Sequence, residues 1–340
     1  MSPSIPAKAR DILTQRHDLN DVYNHIRAEL EKVEEKLKTF SSSPNPLISE
    51  ISQYLFQKKG KRIRPALLIL CSKLLGYRGD EHILMSALVE FIHTASLIHD
   101  DIIDNADRRR GRDSVHTRWG PNISVLLGDY LYIKTLGLSL DSPHPSIVQI
   151  LTDVSARMID GELTEYSSSG RLDTSEQDYL EIIDQKTASL FAAACQIGAV
   201  LGKATPKQEG QLIDYGRNLG MTFQIIDDLL DFQGDEDEMG KPVLSDLSEG
   251  RITLPLIYTL RNDGSSSRSR LRSLMKKKTL AKGSRKEILD IIRANGALEY
   301  TYRQAEEFSL RAREIASQFP ESAHREALAL LAEFVLARNK

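Results

Sequence analysis

Two short acidic runs in this chain share one pattern. Asp100-Asp101-Ile102-Ile103-Asp104 and Asp227-Asp228-Leu229-Leu230-Asp231 each order two acids, two aliphatics and one acid. On a helix, residues four apart share a face, so Asp100 with Asp104, and Asp227 with Asp231, make two-carboxylate claws. Like charges so placed oppose helix formation unless a cation sits between them. Oxygen donors without His or Cys suit a hard ion, and Mg²⁺ characteristically takes one or two carboxylates, several waters and substrate phosphates. Both runs follow apolar stretches, Phe91–Ile98 and Met221–Ile226. A solvated helix end accounts for one such run, whereas two at matched spacing point to bound cations.

Basic residues supply the complementary chemistry. Gly60-Lys61-Arg62-Ile63-Arg64-Pro65 opens an apolar helix and could grip a diphosphate through its cations and the free N–H groups of the first turn. Arg108-Arg109-Arg110-Gly111 follows the first acidic run by four residues, and Lys186-Thr187, Lys241 and Arg251 add cations near loops. Acids that hold Mg²⁺ and cations that hold phosphate imply a diphosphate substrate with apolar walls beneath it.

Helices must position these groups. Leu19, Val22, Ile26, Leu30, Val33 and Leu37 recur at steps of three and four, which predicts one amphipathic helix ending at the Ser41–Pro46 breaker cluster. Apolar-rich helical segments are expected at 65–76, 84–104, 122–139, 145–166, 177–203, 207–232 and 252–261, with loops at 105–120, 167–175, 233–251 and 262–284. Alternating strands and hairpin dipeptides are missing. The expectation is an all-α, single-domain helical bundle around a central cavity, with an N-terminal arm (1–43), a catalytic core (44–261) and C-terminal helices (262–340).

Composition narrows the class. The 340 residues are 41% hydrophobic and 27% charged, a globular balance, and 45 basic against 48 acidic residues argue against a nucleic-acid binder. Two cysteines, Cys71 and Cys195, give no disulfide framework and fit a reducing compartment. No run approaches the roughly 18 apolar residues of a membrane span. The N-terminus lacks signal-peptide character and carries Asp11, Asp18, Asp21 and Glu29, so a cytoplasmic location is expected. The basic segment 261–286 reads first as a solvated face and second as a transient contact with anionic lipid headgroups.

With these motifs in order, the chain resembles the trans-isoprenyl diphosphate synthases (polyprenyl synthetases), which have the isoprenoid synthase fold. The matching elements are Gly-Lys-x-x-Arg at 60–64, the two acidic runs, Arg109-Arg110-Gly111, Gly128-Asp129, Gly161-Glu162, Lys186-Thr187, Gln224, Gly240-Lys241 and Asp246-Leu247. The resemblance implies condensation of isopentenyl diphosphate with an allylic diphosphate by a homodimer, using three Mg²⁺ ions for which Mn²⁺ can substitute. It implies that Asp100, Asp104 and Asp227 ligate metal, and that Asp101, Asp228 and Asp231 support them. Asp231 counts among the metal ligands through the second claw. Arg109, Lys186 and Lys241 would contact the allylic diphosphate, and Lys61, Arg64, His93 and Arg110 the isopentenyl diphosphate. Thr187 and Gln224 would face the developing cation. Arg251 stands where the family often has Lys, so a single-point ammonium contact becomes a fork.

Product length is also addressed by position. Ala95 and Ser96 lie five and four residues before Asp100, about one helical turn below the metal. Aromatic residues there stop short products in the family, and small residues imply long-chain synthesis for quinone side chains. Periodicity offers Phe91, Ile92, Ile147, Leu151, Val154 and Met158 as a deeper floor. A short- or medium-chain synthase such as a geranylgeranyl diphosphate synthase is the alternative. An HD-type phosphohydrolase built on His93 and His99-Asp100 leaves the second acidic run unexplained. A terpene cyclase typically has a different second motif, and a non-catalytic partner subunit typically loses one.

Overall fold

A computed structural model describes residues 19–57, 60–109, 111–233, 243–262, 265–275 and 282–338. Arg110, Gly240 and Lys241 lie outside the described residues, as does the rest of 234–242 in the loop expected at 233–251. Almost everything described is helix. In chain order these are α1 (Leu19–Tyr23), α2 (Arg27–Ser41), α3 (Pro46–Phe56), α4 (Ile63–Leu74), α5 (Glu81–Ile103), α6 (Val115–Trp119), α7 (Pro121–Ser139), α8 (Pro145–Ser168), α9 (Glu176–Ile183), α10 (Ser189–Leu201), α11 (Pro206–Leu230), α12 (Ser245–Ser248), α13 (Leu254–Asn262), α14 (Ser265–Met275), α15 (Lys282–Ala294), α16 (Ala297–Ser317) and α17 (Ala323–Ala337).

Helix α5 is the axis. Its residues are apolar most of the way round, and it packs against α2, α4, α7 and α10. It is long and apolar enough to cross a membrane, yet 67% of its apolar window is buried inside the bundle, as a core helix requires. Helix α11 lies beside α10 and α16 and serves two apolar clusters. Leu212, Tyr215 and Leu219 join the cluster around α4, α5 and α10. Met221, Ile225 and Leu229 join the one formed with α13, α15 and α16. Both acidic runs therefore sit at the C-terminal ends of the two helices most firmly held by packing. Cys71 and Cys195 are buried free thiols.

Four expectations need correction. The 19–37 helix is broken by a turn at 24–26, although Val22, Ile26, Val33 and Leu37 are all fully buried as its period demands. The 105–120 loop holds a two-stranded hairpin, Arg108–Arg109 with Arg112–Asp113, turned by Gly111 at φ 78°, and then α6. The 262–284 loop contains α14 and leads into α15, whose Ile288, Leu289 and Ile292 are buried beneath its charges. The 177–203 helix is interrupted by a π-helical turn, Asp184–Ala188.

A buried ion cluster pins the entry to α4. Arg62 adopts a left-handed conformation (φ 54°) and its fork reaches Glu34 (Nε–Oε1 2.5 Å) and Glu90 (Nη1–Oε1 2.5 Å). Tyr23 donates to the Lys61 carbonyl at 2.6 Å. The 60–64 segment is thus fixed by α1, α2 and α5 together. Arg62→Leu would leave Glu34 and Glu90 buried and facing each other, so urea unfolding should show a loss of about 3–5 kcal/mol, and a loss below that of a surface pair, about 1 kcal/mol, would contradict this role.

Candidate active site

The C-terminal ends of α5 and α11 face one cavity with two connected lobes. The polar lobe, about 250 Å³, is lined by Asp100, Asp104, Arg109, Tyr179, Lys186, Thr187, Gln224, Asp227, Asp228, Asp246 and Arg251. The larger lobe, about 530 Å³, shares Asp100, Arg109, Lys186, Thr187, Gln224 and Asp227 with it. That lobe continues past Arg64, His93, Ser96, Leu97, Tyr132, Met158 and Phe223. Acids at helix C-termini meet the negative end of the dipole, which costs each of them about 0.3–1 kcal/mol. Cations nearby offset this. Arg109 Nε donates to Asp101 Oδ1 (2.6 Å), Arg251 Nη1 to Asp104 Oδ2 (3.0 Å), and Arg338 Nη2 to Asp227 Oδ1 (2.9 Å). Arg251 uses its second nitrogen on Asp246 (2.8 Å) and also pairs with Glu249, a bridge only a fork can span.

Lys186 and Thr187 project from the π-helical turn, whose widened register aims consecutive side chains into the cavity. Asp184 anchors the turn by accepting from Arg217 (2.7 and 2.9 Å) and Arg157 (2.5 Å). Gly161 of α8 makes room for it, because a Cβ there would lie 2.8 Å from the Lys186 nitrogen. Lys186 Nζ sits 2.5 Å from both Glu162 and Glu165. Burial works against its charge, but Glu165, Asp100 and Glu162 outweigh burial and hold the ammonium protonated.

Asp228 is buried and organises its neighbours. It accepts from Tyr179 Oη (2.6 Å) and Gln224 Nε2 (2.8 Å), and Gln224 Oε1 in turn accepts from Thr187 Oγ1 (2.8 Å). Burial, with Asp246 adding, drives its carboxyl well above the usual range. Asp231 departs from the claw expected of it. It accepts from Ser245 Oγ (2.7 Å), Ser245 N (3.2 Å) and Asp246 N (3.2 Å), satisfying the free N–H groups of the short helix α12, and it lies outside the cavity lining. Lys61 is exposed and outside the lining, whereas Arg64 and His93 line the larger lobe. Ser96 also lines it, but Ala95 is fully buried away from it. Of the proposed floor, Met158 reaches the cavity. Phe91, Ile92, Ile147, Leu151 and Val154 are spent in the core.

Among the described residues no three His, Cys, Asp or Glu side chains converge to hold an ion by themselves. One or two carboxylates per ion is nevertheless what a hydrated hard cation shared with a substrate phosphate requires. Asp100, Asp104 and Asp227 fit that pattern. Sequence reading missed Tyr179, Tyr132 and Arg338. The last stacks on the Phe223 ring (3.7 Å) from the far end of the chain, with no spacing to reveal it.

Comparison with known proteins decides the family. A family model, Polyprenyl synthetase, matches residues 45–292. The chain belongs to the polyprenyl synthetase family. It is 33% identical to the octaprenyl diphosphate synthase of Haemophilus influenzae, across 98% of this chain and 99% of that one. It is 36% identical to a short chain isoprenyl diphosphate synthase of Methanothermobacter thermautotrophicus, across 94% and 99%. A crystal structure of polyprenyl synthase from Caulobacter crescentus, complexed with calcium and isoprenyl diphosphate, matches with a TM-score of 0.89 at 32% identity, covering 95% of this chain and 98% of that one. This polyprenyl synthetase is therefore a trans-prenyltransferase with the all-α isoprenoid synthase fold, in a divalent-metal-dependent family.

Burial, with Glu162 and Asp104 adding and Lys186 and Arg109 opposing, pushes the Asp100 carboxyl up to about 7 from 3.8. Between those values the folded chain keeps a proton that the unfolded chain has released, so this group's contribution to stability falls as pH rises towards 7. In metal-free protein, Asp100→Asn should gain in melting temperature relative to wild type from about pH 5 to about pH 8. A difference that stays flat over that range would contradict the shift.

Proposed function

We propose that this polyprenyl synthetase adds isopentenyl diphosphate repeatedly to an allylic diphosphate (geranyl, farnesyl or geranylgeranyl), giving a long-chain all-trans polyprenyl diphosphate for a quinone side chain. On this reading it works in the cytoplasm, as a homodimer, with three Mg²⁺ ions per site or Mn²⁺ in their place. The observation that carries it is the continuity of the carboxylate lobe with the larger lobe, whose lining has the small Ser96 one helical turn before Asp100.

Bound Mg²⁺, held by Asp100, Asp104 and Asp227, would neutralise charge on the leaving diphosphate. Arg109, Lys186 and Arg251 grip that diphosphate by charge-assisted hydrogen bonds, with Lys241 assigned the same role by its motif. Arg64 and His93, with Lys61 and Arg110, bind isopentenyl diphosphate. Ionisation breaks the allylic C–O bond, and the double bond of isopentenyl diphosphate attacks the allylic carbon. One proton then leaves to the departing diphosphate. Thr187 Oγ1 and Gln224 Oε1 present oxygen dipoles to the developing positive charge, fixed in direction by Asp228 and Tyr179. Apolar walls keep water from the cation. A short-chain synthase is the second reading, favoured by the Methanothermobacter relative.

Mass spectrometry of products from purified protein, Mg²⁺, isopentenyl diphosphate and each primer in turn tests the reading. Products of about seven to ten isoprene units support it, full activity in excess chelator contradicts its metal chemistry, and a product stopping at four units supports the second reading. Ser96→Phe should shorten the main product with little change in melting temperature. Ala95→Phe, by overpacking the core, should instead lower stability by roughly 1–3 kcal/mol. Unchanged product from a well-folded Ser96→Phe enzyme would place the tail elsewhere.

A further inference from the structure

The π-helical turn that carries Lys186 and Thr187 takes one more residue than a regular helical turn, and the groups that hold it in that form lie outside the cavity. The backbone N–H of Ser189 reaches back five residues to the Asp184 carbonyl. Its hydroxyl then donates to the Gln185 carbonyl (2.6 Å), the acceptor that an α register would have given that N–H. At the start of the turn the Asp184 carboxylate accepts from Arg217 Nε (2.7 Å) and Nη2 (2.9 Å) on α11, and from Arg157 Nη2 (2.5 Å) on α8. None of these four residues lines either lobe.

The two flanking helices offer the turn the same pair of residue types. On α8, Arg157 and Gly161 are four apart, and on α11, Arg217 and Gly220 are three apart, so in each helix the two share a face. The glycines let the turn come close. A Cβ at Gly161 would lie 2.8 Å from the Lys186 nitrogen, and one at Gly220 2.5 Å from Ala188 Cα. The turn thus rests between two bare stretches of backbone, and one carboxylate bolts it to both helices. Helix α8 also bears Glu162 and Glu165, which hold Lys186, and α11 bears Gln224, which holds Thr187. Fixing the turn to these two helices therefore registers each side chain against its own partner.

We propose that Asp184, with Arg157 and Arg217, is a positioning residue for the prenyl-transfer site, locking the π register that aims Lys186 and Thr187 into one cavity. Without the lock the turn relaxes towards an α register, and residues beyond the slip rotate by about 100° relative to those before it. Lys186 and Thr187 then no longer both face the cavity. Arg64 and His93 stand on α4 and α5 and keep their places. The loss is confined to the side of the site assigned to the allylic diphosphate. That assignment rests on the reading above, whereas the lock itself does not.

The test compares Asp184→Ala and Arg217→Gln with wild type. Both arginines are nearly half exposed, and pairs of that kind add little to global stability, so circular dichroism should be unchanged. Arg217→Gln removes one partner only and carries the same readouts should Asp184→Ala fail to fold. In metal-free protein, hydrogen–deuterium exchange read by mass spectrometry should be several-fold faster over 184–189 and unchanged in α4 and α5. With Mg²⁺ and inorganic diphosphate, calorimetry should give about tenfold weaker binding for Lys186→Ala and nearly as large a loss for Asp184→Ala. The double variant should bind no more weakly than Lys186→Ala alone, as a residue acting through Lys186 requires. In steady-state assays, Asp184→Ala should raise the KM for farnesyl diphosphate several-fold and lower kcat, with the KM for isopentenyl diphosphate unchanged. Wild-type exchange over 184–189 in both variants overturns the proposal. So does an additive loss in the double variant, or an equal rise in the two KM values. A Lys186→Ala protein that binds diphosphate as wild type does counts against the assigned grip alone, and the exchange result then decides the lock.

Discussion

Four carboxylates, Asp100, Asp104, Asp227 and Asp228, brought to the negative ends of two helices around one cavity are the constraint on which the rest of this structure depends. Left alone, they would repel one another and the helix dipoles, and Asp100 is pushed up chiefly by burial, with Glu162 and Asp104 adding. The chain meets this with arginines drawn from distant positions: Arg109 from a hairpin, Arg251 from the segment after α12, and Arg338 from the last described residue. Their charge makes the site an electrostatic mosaic, and on the proposed reading a metal-bound diphosphate, itself mixed in charge, would find partners of both signs there.

Rigid packing converts that mosaic into directed chemistry. The apolar circumference of α5 and the double duty of α11 fix where the two runs face each other. The π-helical turn supplies what a regular helix cannot, two consecutive side chains, Lys186 and Thr187, aimed at the same space. The relay from Thr187 through Gln224 to Asp228 and Tyr179 then fixes the orientation of each amide and hydroxyl at the cavity. Polar groups hold one end of the cavity and apolar groups the other, which is the division an ionic head and a greasy tail require.

Much of this was legible because period and spacing are local. The apolar steps in 84–104 and 207–232 place α5 and α11 within a few residues of their observed ends, and the acidic runs declare themselves by repetition. What escaped had no local signature. A π turn adds one residue without altering composition, so 177–203 reads as one helix. The basic segment 261–286 reads as a solvated face, yet the chain just beyond it buries Ile288, Leu289 and Ile292 on one side of α15. Asp231 repeats the spacing of Asp104 but meets the bare N–H groups of α12, so an identical motif position serves a cap. Ala95 and Ser96 are neighbours in sequence and point to different surroundings, a distinction that needs the helix's rotation as well as its period. Arg338 pairs with a residue 111 positions away.

Calorimetric titration of Mg²⁺ into the protein, with and without inorganic diphosphate, tests the central claim most directly: that the two acidic runs bind metal jointly with a diphosphate. The account predicts strong uptake only when diphosphate is present, lost in Asp100→Asn and in Asp227→Asn, and retained in Asp231→Asn, whose cost appears in stability. Equal uptake by all four proteins, or strong uptake without diphosphate, would contradict it.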